Sequence, residues 1–203
     1  MLAGRIFARM PPLSLPSLGS SRSRCLRIVL VACLALFASL ARADSVPLNT
    51  AEVRVEDDQV LLNVDFALSL NSTLEEALLR GIPLYFLLEV EVQRPRWYWF
   101  DEKVLTHSTQ YRVSYQPLTR QYRVASGLLA QTFDSLQEVE RLIGRVTARS
   151  IASASDLEKG SRYDVVVRLR LDQNQLPKPF QVNALASREW HLASEARRIP
   201  FTP

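Results

Sequence analysis

From residue 53 onward, apolar and polar side chains alternate with a period of two over most of the chain. Leu62, Val64, Phe66, Leu68 and Leu70 share one side of the extended stretch from Val60 to Leu70, with Asn63, Asp65 and Ser69 on the other, as in a strand with one buried face. Upstream, Val53 and Val55 alternate with Glu52, Arg54 and Glu56, and D-D-Q at 57–59 supplies turn chemistry, so the pattern predicts an opening β-hairpin. The period then changes. In S-T-L-E-E-A-L-L-R-G-I-P, Ser72 and Glu75 read as a capping box, Leu74 and Leu78 lie four apart, Glu76 faces Arg80, and Gly81 before Pro83 ends a short helix.

Alternation resumes at Leu84. Leu84, Phe86, Leu88, Val90 and Val92 define an inward face; opposite them Tyr85 and Leu87 give way to Glu89 and Glu91, which predicts cover by the helix over the first half only. The segments from Trp97 to Val104 and from Tyr111 to Ser126 read as consecutive antiparallel strands, with Q-P-L-T as a turn and Arg112 and Arg123 outward. A second helix is predicted over 135–150, capped by Ser135 and Glu138 and buried along Leu136, Val139, Ile143 and Val146. Tyr163, Val165, Val167, Leu169 and Leu171 form another inward face. L-P-K-P-F excludes a central strand, S-R-E-W-H-L-A is read as the last strand, and A-R-R-I-P-F-T-P as a loosely held tail. Strands interrupted by two helices without βαβ alternation indicate an α+β domain. We expect a mainly antiparallel sheet of about seven or eight strands, curled or sandwich-like, with two helices packed on it.

Charge changes the picture at the front of the chain. Of 25 Lys and Arg residues, six lie in residues 1–43, which hold none of the 21 acids; the remainder carries 19 bases against 21 acids. The basic surplus belongs to the leader and gives no reason to expect nucleic acid as a partner. Arg22, Arg24 and Arg27 precede a 13-residue apolar run, Ile28 to Leu40, followed by A-R-A, the layout of a secretory signal cleaved after Ala43. The run is shorter than the roughly 20 residues that span a bilayer. L-V-A-C at 30–33 has lipidation-type residues, but a greasy stretch follows Cys33, which favours soluble release. The expected organisation is an exported chain with a signal peptide over 1–43 and one domain over 44–203. Both cysteines, Cys25 and Cys33, fall in the leader, so a processed chain has no disulfide, thiolate metal site or cysteine nucleophile.

Candidate chemistry is sparse. His107 and His191 lie far apart, neither in zinc-site spacing, and no metal or other cofactor is expected. His107 beside Ser108 is not a triad, which is defined by geometry. There is no G-x-S-x-G elbow, phosphate loop or dinucleotide fingerprint. Asp101 and Glu102 are adjacent and would point to opposite faces of a strand. Two groups remain as candidate binding residues. Arg141, Arg145 and Arg149, four apart, would line one face of the second helix, either simply solvated or docking lipid headgroups or an acidic partner. In Q-R-P-R-W-Y-W-F-D-E-K (93–103), a strand would send Trp97 and Trp99 one way and Tyr98 and Phe100 the other. One pair then belongs in the core; the second is covered by a helix or presented with Arg94 and Arg96 to a sugar, lipid or peptide. Burial of both is the stronger expectation, so that Trp97→Ala would lower stability more than binding.

The export signal, R-P-R-W-Y-W-F, Y-R-V-S-Y-Q-P-L-T-R-Q-Y-R-V, S-L-Q-E-V, and L-P-K-P-F followed by N-A-L and Trp190 together resemble an uncharacterised exported proteobacterial family. That family, domain of unknown function 4390, is also called proline-rich signal peptide protein. The resemblance spans nearly all of residues 45–200, although E-A-R-R-I-P-F carries fewer aromatics than the family's last strand. It implies a Gram-negative periplasm, no assigned activity or catalytic residue, and a membrane sensor kinase of the nitrogen-regulation type as a candidate partner. The functional expectation is a non-catalytic binding or accessory protein of the cell envelope that contacts an envelope protein, peptide or glycan. It would touch the membrane only through an uncleaved leader or a weak surface contact. The rival is a periplasmic hydrolase acting on glycan or peptide through carboxylates assembled by the fold.

Overall fold

The computed structural model describes residues 45–203 apart from residue 99; the leader with its cysteines and cleavage point, and Trp99, lie outside the described residues. The fold is α+β, with two largely antiparallel sheets. The larger is built around β4 (Leu84–Arg94) and β9 (Tyr163–Leu171), which pair antiparallel from Phe86↔Leu171 to Gln93↔Asp164. β5 (Glu102–Gln116), β6 (Gln121–Ser126) and β7 (Leu129–Phe133) extend it as a meander beyond β4. The other edge of β9 is shared by β10 (Ala193–Ser194), which also holds β1 (Ser45–Val46) in parallel, and by β11 (Arg197–Phe201). In the smaller sheet, β3 (Gln59–Phe66) lies between β2 (Leu48–Glu56) and β8 (Arg145–Ser153).

The period-two faces are the core. Leu62, Val64 and Phe66 of β3, Leu84 through Val92 at alternate positions of β4, and Tyr163 through Leu171 at alternate positions of β9 are all buried in one hydrophobic cluster. Each such side chain contributes about 1.5–3 kcal/mol when removed from water. The opening hairpin forms as its sequence requires, with Val55↔Val60 and Glu56↔Gln59 closing onto the Asp57–Asp58 turn.

Helix α1 (Ser72–Leu79) adds Leu74, Ala77 and Leu78 to this core. Its cap is Asn71, whose Oδ1 accepts from the Leu74 N–H at 3.0 Å, one residue before the predicted Ser72. Asn71 also donates from Nδ2 to the Glu189 carbonyl at 2.7 Å, so the same residue ties the helix to the C-terminal segment. Glu76 and Arg80 pair at 3.1 Å, and Gly81, at φ +82°, turns the chain out of the helix. Tyr85 and Leu87 on the outer face of β4 stay partly exposed. Tyr85 has the Arg112 guanidinium 5.9 Å from its ring centre, not a helix over it.

Helix α2 (Leu136–Gly144) is shorter than its sequence pattern suggests. Ser135 caps it as expected, its hydroxyl accepting from the Glu138 N–H at 3.3 Å. At Gly144 the chain comes so close to β3 that a Cβ would sit 2.5 Å from the Phe66 carbonyl oxygen, and Arg145 is already extended. Residues 145–153 therefore continue as β8, because β3 offers them a ladder on its open side. A bulge there puts Ala148 at φ +48°, with its N–H donating to Asn63 Oδ1 at 2.7 Å.

Three segments near the end differ from expectation. Lys178–Ala186 is a third helix, α3, begun by the same prolines that exclude a strand. Arg188–Trp190 is a 3-10 turn; Trp190 and Leu192 are buried and His191 exposed, as read, but only Ala193–Ser194 are strand. The tail is not loose. Arg197–Phe201 pairs along β9 from Arg197↔Val167 to Phe201↔Tyr163, and the Phe201 and Tyr163 ring centres are 5.8 Å apart. Proline is tolerated at position 200 because this is an edge strand. β7 also carried no alternation that would reveal it.

One carboxylate is built into the frame. Glu140 of α2 accepts from the Leu70 N–H at 2.7 Å, and burial in the first place, with a smaller contribution from Glu75, pushes its carboxyl above the ordinary range.

Phe201→Ala is expected to cost about 3 kcal/mol in denaturant unfolding; a cost near zero would restore the loose-tail reading. Because the Glu140 pKa is raised on folding, the folded chain binds this proton more tightly than the unfolded one. The associated stability is full below the ordinary carboxylate pKa and is lost as pH rises through the raised value. Glu140→Gln, which keeps an acceptor for Leu70, should therefore raise Tm at pH 7 by on the order of 2 °C, the gain shrinking toward pH 4 in parallel thermal melts.

Candidate functional site: an aromatic hairpin tip

Trp97, Tyr98 and Phe100 do not belong to a strand. β4 ends at Arg94 and β5 begins at Glu102, so residues 95–101 are the loop joining the two longest strands of the large sheet. On the far side of β4, β9 starts only at Tyr163, which leaves no ladder to extend a strand past Arg94. Trp97 is 93% exposed, Tyr98 65% and Phe100 84%, so burial of these rings is corrected. Trp97 and Tyr98 meet edge to face, with ring centres 5.2 Å apart and planes at 71°.

Ion pairs fasten the base of this tip. Arg96 bridges to Glu102 at 2.5 Å, and its N–H donates to Asp101 Oδ1 at 3.4 Å. The other Asp101 oxygen accepts from Arg198 at 2.6 Å, crossing from β11 to the loop. Arg198 in the first place, then the Arg96 N–H, hold the Asp101 carboxyl below its ordinary range. Arg198 also lies 4.0 Å from Asp164 Oδ2. On β4, Arg94 donates to the Tyr163 hydroxyl at 2.8 Å, bridges to Glu158 at 3.0 Å, and stacks with its guanidinium carbon 5.4 Å from the Tyr163 ring centre.

Beneath the tip, three buried side-chain atoms, Gln93 Oε1, Arg94 Nε and Asp164 Oδ1, have no hydrogen-bond partner. The nearest cation to Asp164 Oδ1, Arg162 Nε at 3.9 Å, pairs electrostatically without a hydrogen bond.

The predicted binding residues thus separate into two groups. Arg94, Arg96 and Trp97 come together at the tip; Trp99 is not among the described residues. Arg94 and Arg96 are engaged by Glu158, Tyr163 and Glu102, so they brace the loop. The expected helical ridge of Arg141, Arg145 and Arg149 is corrected. Arg141 belongs to α2 and donates to the Gln137 carbonyl at 3.3 Å. Arg145 and Arg149 belong to β8 in the smaller sheet, and Arg145 lies 3.7 Å from Asp65. Arg198, Glu158 and Asp164, which complete the base, carried no local signal, since only strand register brings them to the loop.

Little in the geometry resembles an acid–base centre. Asp101 and Asp164 flank one arginine, but Asp101, held below its ordinary range by Arg198, is a poor proton donor. His107 is exposed on β5, with Ser108 on the opposite face of the same strand. Among the described residues there are surface recesses between residues 46–51 and 195–197 and around Tyr85, Arg112 and Gly127; neither pairs two carboxylates. Among the described residues no group of three or more His, Cys, Asp or Glu could hold a metal, and no helix is long and apolar enough to cross a membrane.

No curated protein and no solved structure matches the chain. A family model described as a domain of unknown function, DUF4390, matches residues 43–200. With that match running from the start of the opening strands to the last, the chain belongs to the DUF4390 family.

Proposed function

We propose that the chain is an exported, non-catalytic binding protein of the cell envelope and that the hairpin tip at 95–101 is its contact element. Processing after Ala43 and a single domain over 44–203 complete this reading. The observation that carries it is the exposure of Trp97, Tyr98 and Phe100 on a braced loop. Large apolar side chains left in water at one place mark an interaction surface, and aromatic side chains are enriched where partners bind. The layout of the leader supports export, and the lack of a carboxylate pair in the recesses described above favours binding over the hydrolase alternative.

A second reading rests on β7. It closes the large sheet at Leu129–Phe133, is largely exposed, and contains neither a charge nor a proline. Edge strands are ordinarily protected by such residues, and an unprotected edge accepts an extended peptide by strand addition. A periplasmic segment of a membrane sensor kinase is a peptide source compatible with this edge.

Trp97→Ala should leave Tm within about 1 °C, as expected of an exposed side chain, while crosslinked species recovered from the intact envelope are lost. A drop in Tm with unchanged crosslinking would reverse the assignment. Thr132→Lys should leave crosslinking at the aromatic tip intact and abolish capture only of a partner that adds to β7; retention of every partner would remove the second reading.

A further inference from the structure

Taking the tip as the contact element, we infer that its partner is the interfacial zone of a phospholipid bilayer, entered by the aromatic rings and indifferent to lipid charge. Three features select this occupant. First, the rings stand out from the surface rather than lining a recess of the described residues, the recesses there being formed by other segments. Trp97, Tyr98 and Phe100 are neighbours around one turn and each is at least 65% exposed. A protein pocket receives one or two anchors from one direction, whereas a fluid interface accommodates rings that project in several.

Second, Trp97 and Tyr98 stand at 71° to each other. A flat pyranose face can stack on one of these rings but not on both, so the pair is a poor glycan platform. Trp and Tyr, with an apolar body and one polar atom, are the side chains that settle at headgroup depth.

Third, the charges behind the rings balance. Arg94 pairs with Glu158, Arg96 with Glu102, Arg198 with Asp101, and Arg162 lies 3.9 Å from Asp164, four cations against four anions. Such a collar stays in water and sets the depth of entry, but it supplies no surplus positive charge for anionic lipid. Attraction must come from the rings themselves and should survive screening.

The test uses the full chain with vesicles of zwitterionic phosphatidylcholine brominated on the acyl chains. The leader contains no tryptophan, so quenching of indole emission reports only Trp97, Trp99 and Trp190, of which Trp190 is buried. The inference expects quenching that persists in about 1 M NaCl, where the Debye length is ~3 Å. It also expects partitioning to fall at least about tenfold in the Tyr98→Ser/Phe100→Ser double variant, which retains all three indoles and the wild-type Tm. Absence of quenching, or quenching that requires anionic lipid and disappears in salt, overturns it. If the tip variants lose a crosslinked envelope protein while the wild type shows no lipid quenching, the binding role of the tip stands and the bilayer is excluded as its partner.

Discussion

The structure depends on the pairing of β4 with β9. These two strands sit in the interior of the large sheet and bury alternate residues on the same face, from Phe86 and Leu171 at one end to Val92 and Val165 at the other. Both are flanked by further strands, so their backbone groups are satisfied without water and their apolar faces have somewhere to go. The smaller sheet and helices α1 and α2 close over that face. Tyr163, at the start of β9, extends the arrangement by accepting from Arg94 and from the Glu158 N–H while its ring packs near Phe201.

The end of this pair is also where the protein presents its rings. Past Arg94 and before Tyr163 no strand remains to pair, and the link from β4 to β5 leaves the sheet as a free tip. A projecting loop of large aromatics would ordinarily collapse onto the nearest apolar surface. Here its base is surrounded by charge, with Arg96 and Glu102 joined to each other and Asp101 held by Arg198 from the C-terminal strand. Surface ion pairs of this kind contribute little stability individually, generally below about 1 kcal/mol. Their effect is geometric, fixing the loop against the end of the sheet with the rings turned away. Three buried atoms at this corner, Gln93 Oε1, Arg94 Nε and Asp164 Oδ1, have no hydrogen-bond partner in the protein.

The outer face of the large sheet is consistent with a scaffold. Glu89 and Arg170 pair at 2.9 Å, Glu91 and Lys103 at 2.7 Å, and Arg198 links Asp101 with Asp164. These cross-strand pairs hold adjacent strands in register, and the carboxylates among them whose ionisation is perturbed, Glu91 and Asp101, are shifted downward by cationic neighbours. Glu140 is shifted the other way, but it binds the Leu70 backbone between β3 and α1 and is thereby committed to the frame.

What the sequence determined by itself is the set of faces. Wherever apolar residues recur at every second position over eight or nine residues, in β3, β4 and β9, the chain forms a strand with those residues inside, because one period fits only one backbone. Caps with a side-chain oxygen likewise located the starts of α1 and α2 to within a residue. What tertiary structure decided is every place where two backbones suit the same residues. Arg145–Ser153 could have prolonged a helix, but the approach of Gly144 to Phe66 and the open edge of β3 made it a strand. Arg197–Phe201 read as part of a loosely held tail, and is ordered because β9 offers it an edge to pair with. The aromatic block could have been a buried strand in a wider sheet; Trp97, Tyr98 and Phe100 are exposed because β9 begins only at Tyr163, its first pair with β4 being Asp164 and Gln93, and strand register is a property of the neighbours and not of the residues that lack one.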